Sequence, residues 1–283
     1  MSVKVAVVEL GSDVKQSFNQ AIQLIGGIDN LNTPERSIVI KVGVFDHKTS
    51  HHASVNVADA IINSFGKAPK IFLAESENYK GKALERLQKW NTLFSERVVP
   101  FDLSGDTETK QVKVADETIG LSHIIFKPNV FVSTHVLRTF EKGSILKNLL
   151  GLIPDKKKVR FHKKLEETLL DLYEAVSGID LAVLDGTYLC SGVAPTASRT
   201  YMNVLVVGRD AVAVEAVGYA LVGLDPEKIP VIKEAMKRGF GEGRMDKIQV
   251  LGEPFEGVKE KIAQLLKASK KKTKKSKIEK KAN

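Results

Sequence analysis

The amino-acid sequence predicts an α/β protein: a mainly parallel sheet flanked by helices, in two packed lobes, with a basic, disordered C-terminal tail. Three observations carry that expectation. Short β-branched runs alternate with helix-periodic segments, the pattern of parallel strands joined by crossover helices. The apolar content of 43% over 283 residues is enough for one large core or two smaller ones. The lysines are unevenly spread: residues 268–283 hold eight of them against one glutamate, so the tail carries +7 of a net charge of +9 and leaves +2 for residues 1–267.

The elements follow in chain order. Strands are expected at Lys4–Glu9, Ser37–Val42, Lys70–Ala74, Val98–Phe101, His123–Phe126, Leu181–Leu184, Asn203–Val207 and Ile248–Leu251. Between the first two, Ser12 or Asp13 caps a helix with Val14, Phe18, Ile22 and Ile25 on one face, and Gly26-Gly27 stops it. Ser54 caps the next, with Val57, Ile61 and Phe65 facing inward. The polar stretch from Gly105 to Asp116 lacks apolar periodicity and is the expected boundary between lobes, near residues 105–120. Ser144 is the expected cap of a short helix carrying Ile145, Leu146, Leu149 and Leu150. Asp210 caps a slim alanine-rich helix from Ala211 to Leu221, and Asp225-Pro226 opens another, with Ile229, Ile232 and Met236 as its stripe. Past Ala268, lysine and hydroxyl residues find no apolar partner to offset the entropy of ordering them, hence the disordered tail.

Composition also excludes classes of function. The longest apolar runs fall well short of the ~20 residues of a membrane-spanning helix, so no membrane partner is expected. A single cysteine, Cys190, cannot ligate an iron–sulfur cluster or a structural zinc ion and points to the reducing cytoplasm. No phosphate-binding loop, Gly-x-Gly-x-x-Gly turn after a strand or Gly-x-Ser-x-Gly elbow occurs.

The polar residues that folding alone explains poorly fall into a few groups. Lys127-Pro128-Asn129 is expected at a strand end, because proline cannot donate to the ladder; His135, Lys147 and Asn148 follow closely. Lysine, asparagine and histidine at strand ends suit a carboxylate or phosphate. The segment Ile38 to Phe45 echoes Ile124 to Phe131, which would match Lys41 with Lys127 in two related lobes. Asp185-Gly186 offers a ligand for a metal or hydroxyl, or is a plain turn; Arg209 and Asp210 stand where a strand becomes a helix, the latter a cap or a site group. His47, His51 and His52 are candidate ligands for a divalent metal, or residues of a loop leading into a cap. His162 lies in the basic run 156–164, a solvated face or a phosphate contact.

Taken together, Lys127-Pro128-Asn129, Asn148-Leu149-Leu150-Gly151-Leu152-Ile153-Pro154 with Lys157 or Lys158 and His162 after it, Asp185-Gly186, Arg209-Asp210 through Glu215, and Gly223 to Pro226 resemble the prokaryotic family of domain of unknown function 362 over about 37–252. The resemblance implies an α/β domain of cytoplasmic proteins, often fused to ferredoxin-type modules, with no agreed reaction. The sequence departs from that pattern in lacking cluster cysteines, in Lys41-Val42-Gly43 where many relatives have Lys-Pro-Asn, and in the loop from Ser191 to Pro195, where an acid is common. Two partners remain: a small anionic ligand between lobes, or nucleic acid or the ribosome met by the tail and residues 156–164.

Overall fold

A computed structural model gives the fold; it describes residues 2–49, 52–139, 141–191 and 198–282, without the side chains of Ser198 and residues 269–282. The chain opens with β1 (Val3–Glu9), α1 (Val14–Leu24), β2 (Ile38–Val42), α2 (Val55–Ser64), β3 (Ile71–Glu75), α3 (Ala83–Leu87) and β4 (Val98–Asp102). A hairpin of β5 (Thr109–Val114) and β6 (Glu117–Ser122) leads to β7 (Val130–Arg138), α4 (Ile145–Asn148), α5 (Leu165–Ala175), β8 (Leu181–Ser191) and β9 (Ser198–Gly208). The last elements are α6 (Ala211–Leu221), α7 (Pro230–Lys237), β10 (Ile248–Gly252) and α8 (Phe255–Ala282). The segment 268–283, expected as a disordered tail, lies almost wholly beyond the described side chains.

Eight strands form one sheet in the order β10-β1-β9-β8-β7-β2-β3-β4. Every neighbouring pair is parallel except β1–β9 and β8–β9, so β9 alone among the eight runs against the rest. The period-2 alternation of side chains sorts the apolar residues into two layers. Ala6, Val8, Ile38, Ile40, Val132 and Val183 pack under α1 and α2. Val5, Val7, Val39, Phe131, Leu184 and Val206 pack under α4, α5, α6 and α7, with Ile262 of α8 closing that layer. Burial on both faces is why the central strands read as continuous apolar runs.

The caps expected from Asp13, Ser54 and Asp210 form; Asp225 caps only the 3-10 turn Pro226–Lys228, and the helix expected to follow it directly opens at Pro230. Two other expectations fail. Residues 123–126 are not a strand: His123–Ile125 is a 3-10 turn, and the ladder starts at Val130, beyond Pro128. The run after the proline is longer, and it takes the central place between β2 and β8. Ser144 makes no side-chain cap; the Glu215 carboxylate accepts from the Ser144 and Leu146 amides instead, at 2.8 Å each. The polar stretch 105–116 contains β5, and the hairpin packs on α5, with the Ala115 amide donating to Asp171 Oδ2 at 2.7 Å.

Candidate functional site

Register places the polar residues. Ile38 pairs with Val130, so Lys41 lies beside Ser133 and not beside a counterpart of Lys127. The internal echo is therefore a likeness between β2 and a segment that is mostly 3-10 turn and loop before β7. Lys41, Ser133 and His135 stand on the face covered by α4, toward the carboxyl ends of β2 and β7, where open α/β sheets bind ligands.

Lys41 and Glu75, each less than a twentieth exposed, meet at 2.6 Å between Nζ and Oε1. Burial lowers the Lys41 pKa from the ordinary lysine value, and the adjacent carboxylate opposes that shift. Glu75 also accepts from the Ser76 amide at 3.0 Å, and the wholly buried Arg86 guanidinium lies 3.6 Å from its other oxygen. Arg86 donates to the carbonyls of Val44 and Ser76, tying the chain after β2 to the chain after β3.

Asn148, at the end of α4, joins this pair to β7. Its Oδ1 accepts from Lys41 Nζ at 3.2 Å, and its Nδ2 lies 2.9 Å from the Lys41 carbonyl and 3.2 Å from both Ser133 Oγ and the Thr134 carbonyl. The site depends on two absent side chains. A Cβ on Gly151 would fall 2.7 Å from Lys41 Nζ, and one on Gly43 would fall 2.1 Å from the His135 ring.

His135 is buried, with Nε2 2.9 Å from an Arg138 nitrogen and Nδ1 3.3 Å from the Val136 carbonyl. Since guanidinium only donates, Nε2 accepts and the proton sits on Nδ1. Burial, then the Arg138 charge, hold the imidazole well below its usual pKa.

Two further lysines border the cluster. Lys147, on α4, is 3.2 Å from His162 Nε2; burial, followed by the charges of Lys142 and Arg138, lowers its pKa to about 8. Lys158 donates to Ser76 Oγ at 2.9 Å and to the Glu77 carbonyl, and burial lowers it to about 8 as well, with Glu75 opposing. Burial, then Lys147 and Lys142, lower His162 too. Neither Lys147 nor Lys158 has a carboxylate within ion-pair distance among the described residues. The 3-10 turn Lys158–Lys164 carries both Lys158 and His162.

Of the residues expected from sequence, Lys41, His135, Lys147, Asn148 and His162 thus come together. Asp185 shares their end of the sheet but pairs with Val136, on the opposite face, where it accepts from the amides of Ser54 and Thr187. Lys127, Asn129, Arg209 and Asp210 are at the other end of the strands. Lys127 binds Asp180 at 2.6 Å, Asn129 donates to the Ile124 carbonyl, Arg209 donates to the Asp180 carbonyl, and Asp210 caps α6 and accepts from the Glu242 amide. The error follows from the misplaced strand at 123–126, which set Lys127 at the wrong strand end.

Among the described residues, no three His, Cys, Asp or Glu side chains assemble as a metal site. His51 lies outside the described residues; His52 has Nδ1 2.8 Å from the Ala53 carbonyl and its ring edge-on to Trp90. Glu75 and Arg86 are the members that the sequence reading did not name; Lys158 and Glu215 entered it only as parts of the family-like motifs. Glu215 left a usable signal, a lone carboxylate inside the otherwise uncharged helix 211–221. A surface hollow of about 620 Å³ beside β10, lined by Leu224, Met245 and Phe255 among others, lies at the far edge of the sheet and holds no buried charged side chain.

The family model described as Domain of unknown function (DUF362) matches residues 38–220, from the first residue of β2 to the last turn of α6, and so takes in every member of the cluster. No curated protein matches the chain.

Proposed function

Because the chain belongs to the DUF362 family, whose description names no activity, we propose a function from the cluster itself: the protein binds a small phosphate- or carboxylate-bearing ligand at the carboxyl ends of β2, β3 and β7. The observation that carries this reading is the state of Lys147 and Lys158. Both ammonium groups are desolvated enough to bring their pKa to about 8, and both face neutral partners rather than carboxylates. Both side chains are half-buried, and a partly desolvated cation with no carboxylate in contact gains from an incoming anion. His162 offers an additional polar atom on the same turn as Lys158, Asn148 and His135 hold the buried side of the site, and a divalent metal, where needed, enters with the anion.

The rival partner, nucleic acid, has weaker support. In the run 156–164, Lys156 pairs with Glu77, Arg160 with Glu117 and Asp155, and Lys164 with Asp116, which neutralises much of the basic segment. A cytoplasmic setting fits Cys190, whose thiol burial pushes up to about 11. Among the described residues no helix is long and apolar enough to cross a membrane.

Isothermal titration of the full chain with phosphate, pyrophosphate and dicarboxylates tests the site. At least one should bind saturably, and Lys147→Ala and Lys158→Ala should each weaken it by tenfold or more, while Lys127→Ala leaves it unchanged. Equal affinity in all four proteins removes the assignment.

A further inference from the structure

We propose that the ligand of this site is a nucleoside phosphate, whose base stacks on the exposed aromatic pair Phe45–Tyr79 while its phosphates meet Lys158. The inference rests on the anion-binding reading and adds the class of ligand.

Phe45 and Tyr79 stand on the two loops that leave the site. Phe45 comes directly after Val44, whose carbonyl receives Arg86; Tyr79 comes two residues after Glu77, whose carbonyl receives Lys158. Their rings meet edge to face, with centroids 5.2 Å apart and planes at 72°. Tyr79 is nevertheless 71% exposed and Phe45 37%. Single exposed apolar side chains are ordinary on protein surfaces, but a pair of aromatic rings set against each other in water presents a ready stacking face.

The loops are held in place for that display. Asn78 Nδ2 donates to the Phe45 carbonyl at 3.0 Å and its Oδ1 accepts from the Lys80 amide at 2.7 Å, while Asn78 and Gly81 close a small bridge. Lys80 lies 5.6 Å from the Tyr79 ring centre and 3.6 Å from Asp46, adding a cation at the rim. Lys156, 3.3 Å from the Glu77 carboxylate, adds another. The arrangement therefore offers the exposed face of the Tyr79 ring and the half-buried ammonium of Lys158 within a few residues of each other, which suit a base and its phosphates. A second aromatic pair among the described residues, the half-buried Tyr188 and the exposed Tyr201, is partly satisfied internally: their hydroxyls are 3.2 Å apart and the Arg199 guanidinium covers the Tyr188 ring at 4.2 Å.

The test is isothermal titration of the full chain with inorganic pyrophosphate and with adenosine, guanosine, cytidine and uridine diphosphates, which carry the same two phosphates. At least one nucleotide should bind about tenfold or more tighter than pyrophosphate. Tyr79→Ser should abolish that difference without changing pyrophosphate affinity, Tyr79→Phe should keep it, and Tyr201→Ser should have no effect. Tyr79 is exposed, so the folded state survives its replacement, and an unchanged Tm verifies this. Equal affinity for pyrophosphate and every nucleotide overturns the inference and leaves the anion site standing. A nucleotide advantage lost in Tyr201→Ser instead overturns the placing of the base. If neither pyrophosphate nor any nucleotide binds, the nucleoside phosphate falls together with the phosphate form of the site.

Discussion

Lys41 Nζ and Glu75 Oε1 lie 2.6 Å apart in a place where neither side chain reaches solvent. Two strands that are neighbours in the sheet, β2 and β3, thus contribute opposite charges to one buried point, and the Arg86 guanidinium shares the same carboxylate. Removing the carboxylate leaves two cations buried without a counter-ion. Glu75→Gln should cost about 3–5 kcal/mol in urea unfolding, and Lys41→Met added to it should recover part of the loss. A cost under about 1 kcal/mol would show that the cations do not depend on Glu75.

The approach of Gly43 to His135 gives a sharper test, because it is relieved by a second change. A methyl group on Gly43 would sit 2.1 Å from the imidazole, against a ring already fixed by Arg138 and the Val136 carbonyl. Gly43→Ala should destabilise by about 1–3 kcal/mol, the usual range for overpacking. His135→Ala removes the obstacle, so the double variant should be less destabilised than the sum of the two single ones, by about 1 kcal/mol or more in a double-mutant cycle. Simple additivity would mean that the clash is relieved elsewhere.

Anion affinity should depend on pH through Lys147 and Lys158, both lowered to about 8. Below that value both are charged in the free protein, and binding needs no proton uptake. Above it the free protein loses those protons and an anion must restore them, so affinity should fall by up to about tenfold per pH unit for each lysine between pH 8 and 10. Stability of the unliganded protein should move in the opposite direction: the unfolded lysines keep their protons to about 10.4, so the burial penalty is present in full below pH 8 and relieved above it. Titration calorimetry and urea unfolding across pH 7–10 measure the two trends, and a flat affinity profile would remove both lysines from the site.

Glu215 holds α4 by its N-terminus, receiving the amides of Ser144 and Leu146. Burial raises its pKa, and the amides work against that shift. Glu215→Ala would leave two buried amides without an acceptor, at a cost of about 2–4 kcal/mol. Since α4 carries Lys147 and Asn148, anion affinity should drop in the same variant although Glu215 is on α6. Thermal unfolding together with titration separates the two effects, and intact affinity in a folded variant would show that α4 is positioned without it.

The sheet and its helices were legible because their signals are local: β-branched runs for the strands, Asp13, Ser54 and Asp210 for the caps. The strand at 123–126 was misplaced because an apolar run before Pro128 looks much like the one after it, and only pairing with β2 and β8 chooses between them. Two of the candidate site residues shared that fate. Lys41, His135, Lys147, Asn148 and His162 stand where strand ends and a short helix put them, whereas Lys127 and Asn129 fell to the opposite end with the strand. Arg86 carried no sequence signal at all, since its burial is decided by the segments after β2 and β3, which meet only in the folded state.

The lone reversed strand has a consequence for how the chain is made. β1 finds its partners in β9 and β10, so Val3–Glu9 leave the ribosome long before the residues they pair with, 204–208 and 248–252. At ~5–20 residues per second, Val5 to Glu9 wait roughly 10–40 s for β9 to be synthesised. During that time an apolar strand edge, with all its amides and carbonyls unpaired, is exposed to other nascent chains, and closing the loop that joins β1 to the sheet comes late in folding. Misassembly should therefore concentrate at β1, which is separated in sequence from both strands that complete it.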